Sequence, residues 1–356
     1  MGIEKLNIEN FLNLANQHPV IDVRSPGEYL HAHIPGAVSL PLFSDEERKV
    51  VGTLYKQQSR EAAIKAGLDF FGVKMKGMVE AVEAMLANTE APSGNVEHAP
   101  QSNCVLVHCW RGGMRSGAVA WLLDVYGFKV YTLAGGYKAL RNRVLKQFLK
   151  HQDLKILGGY TGSGKTPLLH TLKSKAIPVI DLEGLANHKG SAFGAIGEDP
   201  QPSQEMFENL LAFELMKKAT GKAVWLEDES QRIGKLIIPN AFWEAMRNSP
   251  VYFLDIPFDE RLNYLVTTYG SFDQGMLAES IERIQKRLGG LETKNALRFL
   301  SEGNTRDCFD ILLKYYDKLY HKGLHNRKNY ESLLNIIPCS GVNSTVNANK
   351  LSFQEA

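Results

Sequence analysis

No run of about 18 uncharged apolar residues occurs in this sequence, so a helix that crosses a bilayer is not expected. The first residues, "MGIEKLNIENFLNLANQ", carry Glu4, Lys5 and Glu9. They lack both the basic start and the apolar stretch of a secretory signal, and the expected location is the cytoplasm. Cysteine is scarce. Cys104, Cys109, Cys308 and Cys339 are too few and too scattered for a disulfide framework, and none forms a CxxC metal pair. Charge of one sign is lacking too: 41 Lys and Arg stand against 39 Asp and Glu, a net +2, so composition alone announces no polyanionic partner. No internal repeat is evident.

What is present is an alternation of short apolar runs and helical patterns, over a length of 356 residues that suggests two domains. "PVIDV" (19–23), "AVSLPL" (37–42), "CVLVHC" (104–109) and "VYTLAGG" (130–136) read as buried strands; 73–87, 116–126 and the basic stretch 137–152 read as helices. Residues 88–103, rich in Pro, Ser, Asn and Gly, read as a surface loop. A second series follows with "LKILGG" (154–159), "IPVIDLE" (177–183), "AVWLED" (223–228) and "VYFLDIP" (251–257), spaced for helices between them. The pattern predicts α/β architecture with a parallel, doubly wound sheet. The expected division is 1–145, then 146–260, then a helical basic region over 261–340 and a polar, frayed tail over 341–356. From Arg283 to Lys328 eleven Lys and Arg face five Asp and Glu, with His321 and His325 in addition. This is the best electrostatic candidate for a nucleic-acid surface, the alternative being a solvated helical face.

Cys109 ends a predicted strand and opens "HCWRGGMRS". A thiol there lies at the carboxyl edge of a sheet, where open α/β folds bind ligands. With Gly112 and Gly113 free to take positive φ, backbone amides can form an anion nest at the start of a helix, which favours thiolate over thiol. Arg111 and Arg115 add positive charge that can hold an oxyanion. Cys109 therefore reads as a nucleophile, Cys104 as an inert core thiol, and His108 as structural. A second turn, "GYTGSGKT" (159–166), satisfies GxxxxGK[ST] between a predicted strand and a helix. Gly159, Thr161, Gly162, Ser163, Gly164 and Lys165 would cradle a diphosphate, and Thr166 is placed for Mg²⁺ where a metal is used. Supporting roles are expected for Glu183, His188 and Lys189 in "DLEGLANHKGSAFG", and for Glu227 and Asp228, with Glu229 beside them, in "VWLEDES". Phe193, Trp225 and Tyr269 are aromatic candidates for an apolar channel, with core burial as the alternative.

The set "VIDVRSPGEYLHAHIPGAVSLPL", "VHCWRGGMRS" and "VYTLAGGYKALR" resembles the rhodanese family, in which a loop cysteine carries transferred sulfur or selenium. The resemblance makes Asp22, Arg24, residues 33–37, Gly135 and Gly136 framework positions. Five residues separate Cys109 from Arg115, one more than in common sulfurtransferases. That HCx5R spacing is similar to rhodanese-like and tyrosine phosphatases, whose loop encircles a phosphate. Taken with "GGYTGSGKT", "DLEGLANHKGSAFG", "PQPSQEMFENLL", "EDESQRIGK" and "ERKVVGTLYKQQSREAAIKAG", nearly the whole chain resembles the bacterial tRNA 2-selenouridine synthase family.

That resemblance implies a rhodanese-like domain followed by a P-loop NTPase-like domain, acting as a transferase on tRNA. A wobble 2-thiouridine would be alkylated on sulfur by geranyl diphosphate, and selenium from selenophosphate would then replace the S-geranyl group. No tightly bound cofactor is implied; tRNA and an enzyme that produces selenophosphate are the implied partners, and no membrane is. Two other readings stay open on the residues alone. One is a rhodanese-like phosphatase or sulfurtransferase fused to a small-molecule P-loop kinase; the other is a nucleotide-switched binding module with a silent rhodanese domain, against which the presence of Cys109 counts.

Overall fold

The computed structural model describes residues 2–87, 103–218, 221–270 and 272–352. The loop expected over 88–103 lies almost wholly outside these residues. The chain divides into two compact units, Met1–Lys146 and Gln147–Ala356.

In the first unit five strands form one parallel sheet, in the spatial order Glu4–Leu6, Lys129–Leu133, Cys104–His108, Val20–Asp22 and Val38–Ser39. The strand Cys104–His108 is central and buried at every position, as its unbroken apolar run demands in a sheet covered on both faces. Its odd residues pack with Ile21, Val79, Val119 and Leu123 in one core that includes Cys109. Two helices absent from the sequence reading, Asp45–Gln57 and Arg60–Gly72, follow the third strand. Ser44 caps the first by accepting from the Glu47 amide at 3.2 Å, and Ser59 caps the second from the Ala62 amide at 3.1 Å.

The second unit has a parallel four-stranded sheet in the order Leu334–Pro338, Val251–Asp255, Leu154–Gly159, Val224–Glu227. The α/β reading holds, with three corrections. The run 177–183 is no full strand: Val179 makes a single bridge to Trp225, and Asp181 then caps a short helix, Leu182–Ala186, accepting from the Gly184 amide at 2.7 Å. The region 261–340 is not helical throughout, because Leu334–Pro338 returns as the edge strand beside Val251–Asp255. Nor is the tail frayed from 341: Ser344–Ser352 is a helix whose Ala348 and Leu351 join Leu168, Leu169 and Leu172 in the core. Those two apolar residues sit three apart among polar ones, enough for one turn of buried face.

Between the last two strands of the chain, helices Phe258–Tyr269, Gln274–Leu288, Gly290–Ser301 and Thr305–His325 build their own core around Leu265, Ile281, Phe309 and Leu313. Among the described residues no helix is long and apolar enough to cross a membrane.

Candidate functional site

Cys109 follows the central strand directly, and the helix Met114–Tyr126 begins five residues later. The intervening turn is pressed against the turn at 135–136. Tyr137 N–H donates to Cys109 O at 2.8 Å and Lys138 N–H to Trp110 O at 3.0 Å. Gly112 and Gly136 both have positive φ, and a Cβ on Gly136 would lie 2.3 Å from Cys109 O. Any side chain there would push the loop open. Gly113 departs from expectation: its φ is −113°, so only Gly112 of the pair uses the left-handed region.

Cys109 Sγ lies 3.2 Å from Ser116 Oγ. Burial raises its pKa, but the Ser116 hydroxyl, the amides of Gly113 and Ser116 and the Arg115 charge together outweigh it, and the net shift is downward. Burial carries the other three thiols upward, Cys308 to about 12. Arg115 is not free to wrap an anion unaided: Glu28 holds both its terminal nitrogens, one of them at 3.1 Å. Its role is a fixed charge beside the loop, while Arg111 remains on the exposed turn. His108 is fully buried, and burial pushes it down to about 4 despite Asp22 at 3.6 Å; it stays neutral and is no base. Asp22 and Arg24 form a buried bidentate pair over the Tyr137 ring, which braces this turn from below. A groove of about 600 Å³ adjoins Cys109, lined mostly by apolar side chains of the two helices between 45 and 72.

In the second unit Gly159, Gly162 and Gly164 have positive φ, and Gly164 starts the helix Lys165–Ser174. Lys165 Nζ lies back over the turn, donating to Gly159 O at 2.9 Å, and Thr166 Oγ1 donates to Glu183 at 2.9 Å. A cavity of about 550 Å³ opens here. Its lining combines polar and charged residues, 161–166, Lys189, Arg247, Glu183, Asp228 and Glu229, with Tyr264, Leu265, Tyr269, Leu319, Tyr320 and Leu324. Burial raises both Glu183 and Glu229 above the ordinary carboxylate range, helped at Glu229 by the Glu183 charge and opposed at both by Lys165.

The expected supporting residues separate. Glu183, Lys189 and Asp228 line the cavity; His188 and Glu227 do not. Lys189 is paired with Glu198 at 2.7 Å. Asp228 is held by Arg327 and, at 2.8 Å, by the Tyr320 hydroxyl, which also accepts from the Gly159 amide. Glu227 is buried under the Leu182 amide, and burial with the charges of Asp181 and Glu183 drives it well up. Of the aromatic candidates, Tyr269 lines the cavity, Phe193 lines a small extension that shares Tyr269 and Tyr316, and Trp225 is core. Sequence reading missed Tyr320, Arg327 and Arg261, which bonds Thr161 O at 3.1 Å and pairs with Asp317 at 2.8 Å. Their partners lie 56 to 161 residues away, and no local pattern marks them.

Family comparison agrees with both halves. Residues 7–143 match the rhodanese-like domain, and 152–335 match the tRNA 2-selenouridine synthase AAA domain. Relatives named tRNA 2-selenouridine synthase include one from Bdellovibrio bacteriovorus, 36% identical over 92% of this chain and 94% of its own length. Another, from Shewanella frigidimarina, is 36% identical over 86% of this chain and 88% of its own length. A third, from Nitrosomonas europaea, is 36% identical over 82% and 73%. With a thiol loop in one unit and a phosphate loop in the other, this chain belongs to the tRNA 2-selenouridine synthase family.

Proposed function

We propose that the protein replaces the sulfur of 2-thiouridine at a tRNA wobble position with selenium in two steps, one in each unit. In the P-loop unit the thiocarbonyl sulfur attacks C1 of geranyl diphosphate, the S–C1 bond forms, the C1–O bond breaks, and diphosphate leaves. Amides of residues 160–165 and Lys165 stabilise the charge that develops on it. In the rhodanese-like unit selenium adds to C2 of the alkylated base, the C2–S bond breaks, and the geranyl thiolate leaves and takes a proton. An alkylated sulfur is the better leaving group, which lowers the barrier to substitution.

Cys109 acts on the phosphorus of selenophosphate in this account. Its thiolate forms an S–P bond as the P–Se bond breaks with its electrons on selenium, and water then releases inorganic phosphate and restores the thiolate. Carrying selenium as a perselenide would instead oxidise the thiol and require a reduced phosphorus product. The HCx5R turn, with its amides and the Arg111 charge, suits a tetrahedral phosphoryl group. Thr166 and Glu183 would hold a Mg²⁺ ion in concert with diphosphate oxygens; among the described residues no cage of His, Cys, Asp or Glu holds a metal by itself. Such an ion would neutralise the leaving group.

The observation that carries this reading is the cavity above the P-loop, whose lining brings the phosphate turn with Lys165, Lys189 and Arg247, and the carboxyls Glu183, Asp228 and Glu229, together with tyrosines and leucines. It matches a diphosphate bearing a hydrocarbon. The test is equilibrium binding of geranyl diphosphate against ATP: the account expects the prenyl ligand to bind more tightly, and a preference for ATP would favour the kinase reading.

A further inference from the structure

The groove beside Cys109 has more apolar surface than a small inorganic anion can use. At about 600 Å³ it falls in the range of small-molecule sites. Val51 and Tyr55 from helix Asp45–Gln57 face Ile64, Leu68 and Phe71 from helix Arg60–Gly72, and the groove adjoins Cys109 and Met114. Tyr55 is 56% exposed and Leu68 is 59% exposed. A neighbouring pair of large apolar side chains left open to water next to a nucleophile marks a ligand surface. The charged groups that line the groove, Arg48, Lys56, Arg111 and Arg115, are all cations. Glu28 pairs with Arg48 and Arg115, and Lys56 and Arg111 are exposed, a pattern that matches an apolar ligand attached to an anion. Selenophosphate accounts for the charge but not for the hydrocarbon walls.

We infer that this groove seats the alkyl chain of the S-alkylated 2-thiouridine while selenium is delivered, so that the rhodanese-like unit recognises the alkylated intermediate and passes over unmodified 2-thiouridine. The inference rests on the two-step reading above. The chain on sulfur is bound twice, once as a diphosphate ester in the P-loop cavity and once as a thioether beside Cys109.

The experiment compares two anticodon stem-loop RNAs with the full-length protein and selenophosphate, one with S-geranyl-2-thiouridine and one with S-methyl-2-thiouridine at the wobble position. The expected result is a kcat/KM at least about tenfold higher for the geranyl substrate, from burial of its extra methylenes. Leu68→Asp should collapse that ratio, and Val125→Asp, an exposed apolar position outside the groove, should keep it. Equal rates in the wild type, or a ratio that survives Leu68→Asp, would overturn the groove. If the wild type selenates neither RNA, the two-step reading itself fails. A second arm then decides the groove: S-geranyl-2-thiouridine should slow alkylation of Cys109 by iodoacetamide, 2-thiouridine should not, and Leu68→Asp should abolish the protection. Equal protection by both nucleosides, or by neither, counts against it.

Discussion

The decisive residue balance is at Cys109, where burial disfavours a thiolate and a short set of hydrogen bonds restores it. Because the Ser116 hydroxyl heads that set, Ser116→Ala should move the midpoint of Cys109 alkylation against pH upward, with the limiting rate at high pH retained. An unchanged midpoint would show that the amides alone hold the thiolate. Glu227 is the opposite case, a buried carboxyl whose folded pKa lies well above its unfolded value. Its contribution to stability is full below the ordinary carboxylate value and is lost as pH rises through the folded one. Glu227→Gln should therefore flatten the fall of Tm with rising pH, measured by calorimetry; a slope equal to the wild type would mean that Glu227 does not titrate there. Cys109 and Lys165 were legible in sequence because each sits in a short motif whose spacing is dictated by one turn. Tyr320 and Arg327 were not, because they reach Asp228 from a helix and a loop that only the tertiary fold brings near.

Elements were legible where hydrophobic periodicity and length agreed, as in Cys104–His108 and Leu154–Gly159. They were misread where a competing local signal won. Asp181 capped a helix where a strand was expected, and Ala348 and Leu351, with Val342 packed beside them, dock a helix in a mostly polar tail. That last helix is open to test. Leu351 is almost wholly buried, and Leu351→Ala should cost about 2–5 kcal/mol of unfolding free energy in denaturant melts. A loss below about 0.5 kcal/mol would mean that the helix adds no core. The phosphate turn is a second element with a sharp expectation. Lys165→Ala should lower the geranylation rate by at least about 10²-fold, read by mass spectrometry of the wobble nucleoside, while selenation of a preformed S-geranyl RNA continues.

Across the whole molecule the net charge is small, yet ten of the eleven cations between Arg283 and Lys328 are exposed; Arg327 is the buried one, spent on Asp228. Charge reversal at Lys286 and Arg287 should weaken tRNA binding and flatten its salt dependence, as loss of phosphate contacts does. Binding unchanged in affinity and in salt slope would place the RNA elsewhere. The central claim is that alkylation and selenium delivery belong to different units. Mass spectrometry of the wobble nucleoside, after incubation of 2-thiouridine tRNA with geranyl diphosphate and selenophosphate, tests it most directly with Cys109→Ala. The account predicts S-geranyl-2-thiouridine accumulating without selenouridine; selenouridine formed at the wild-type rate would contradict it.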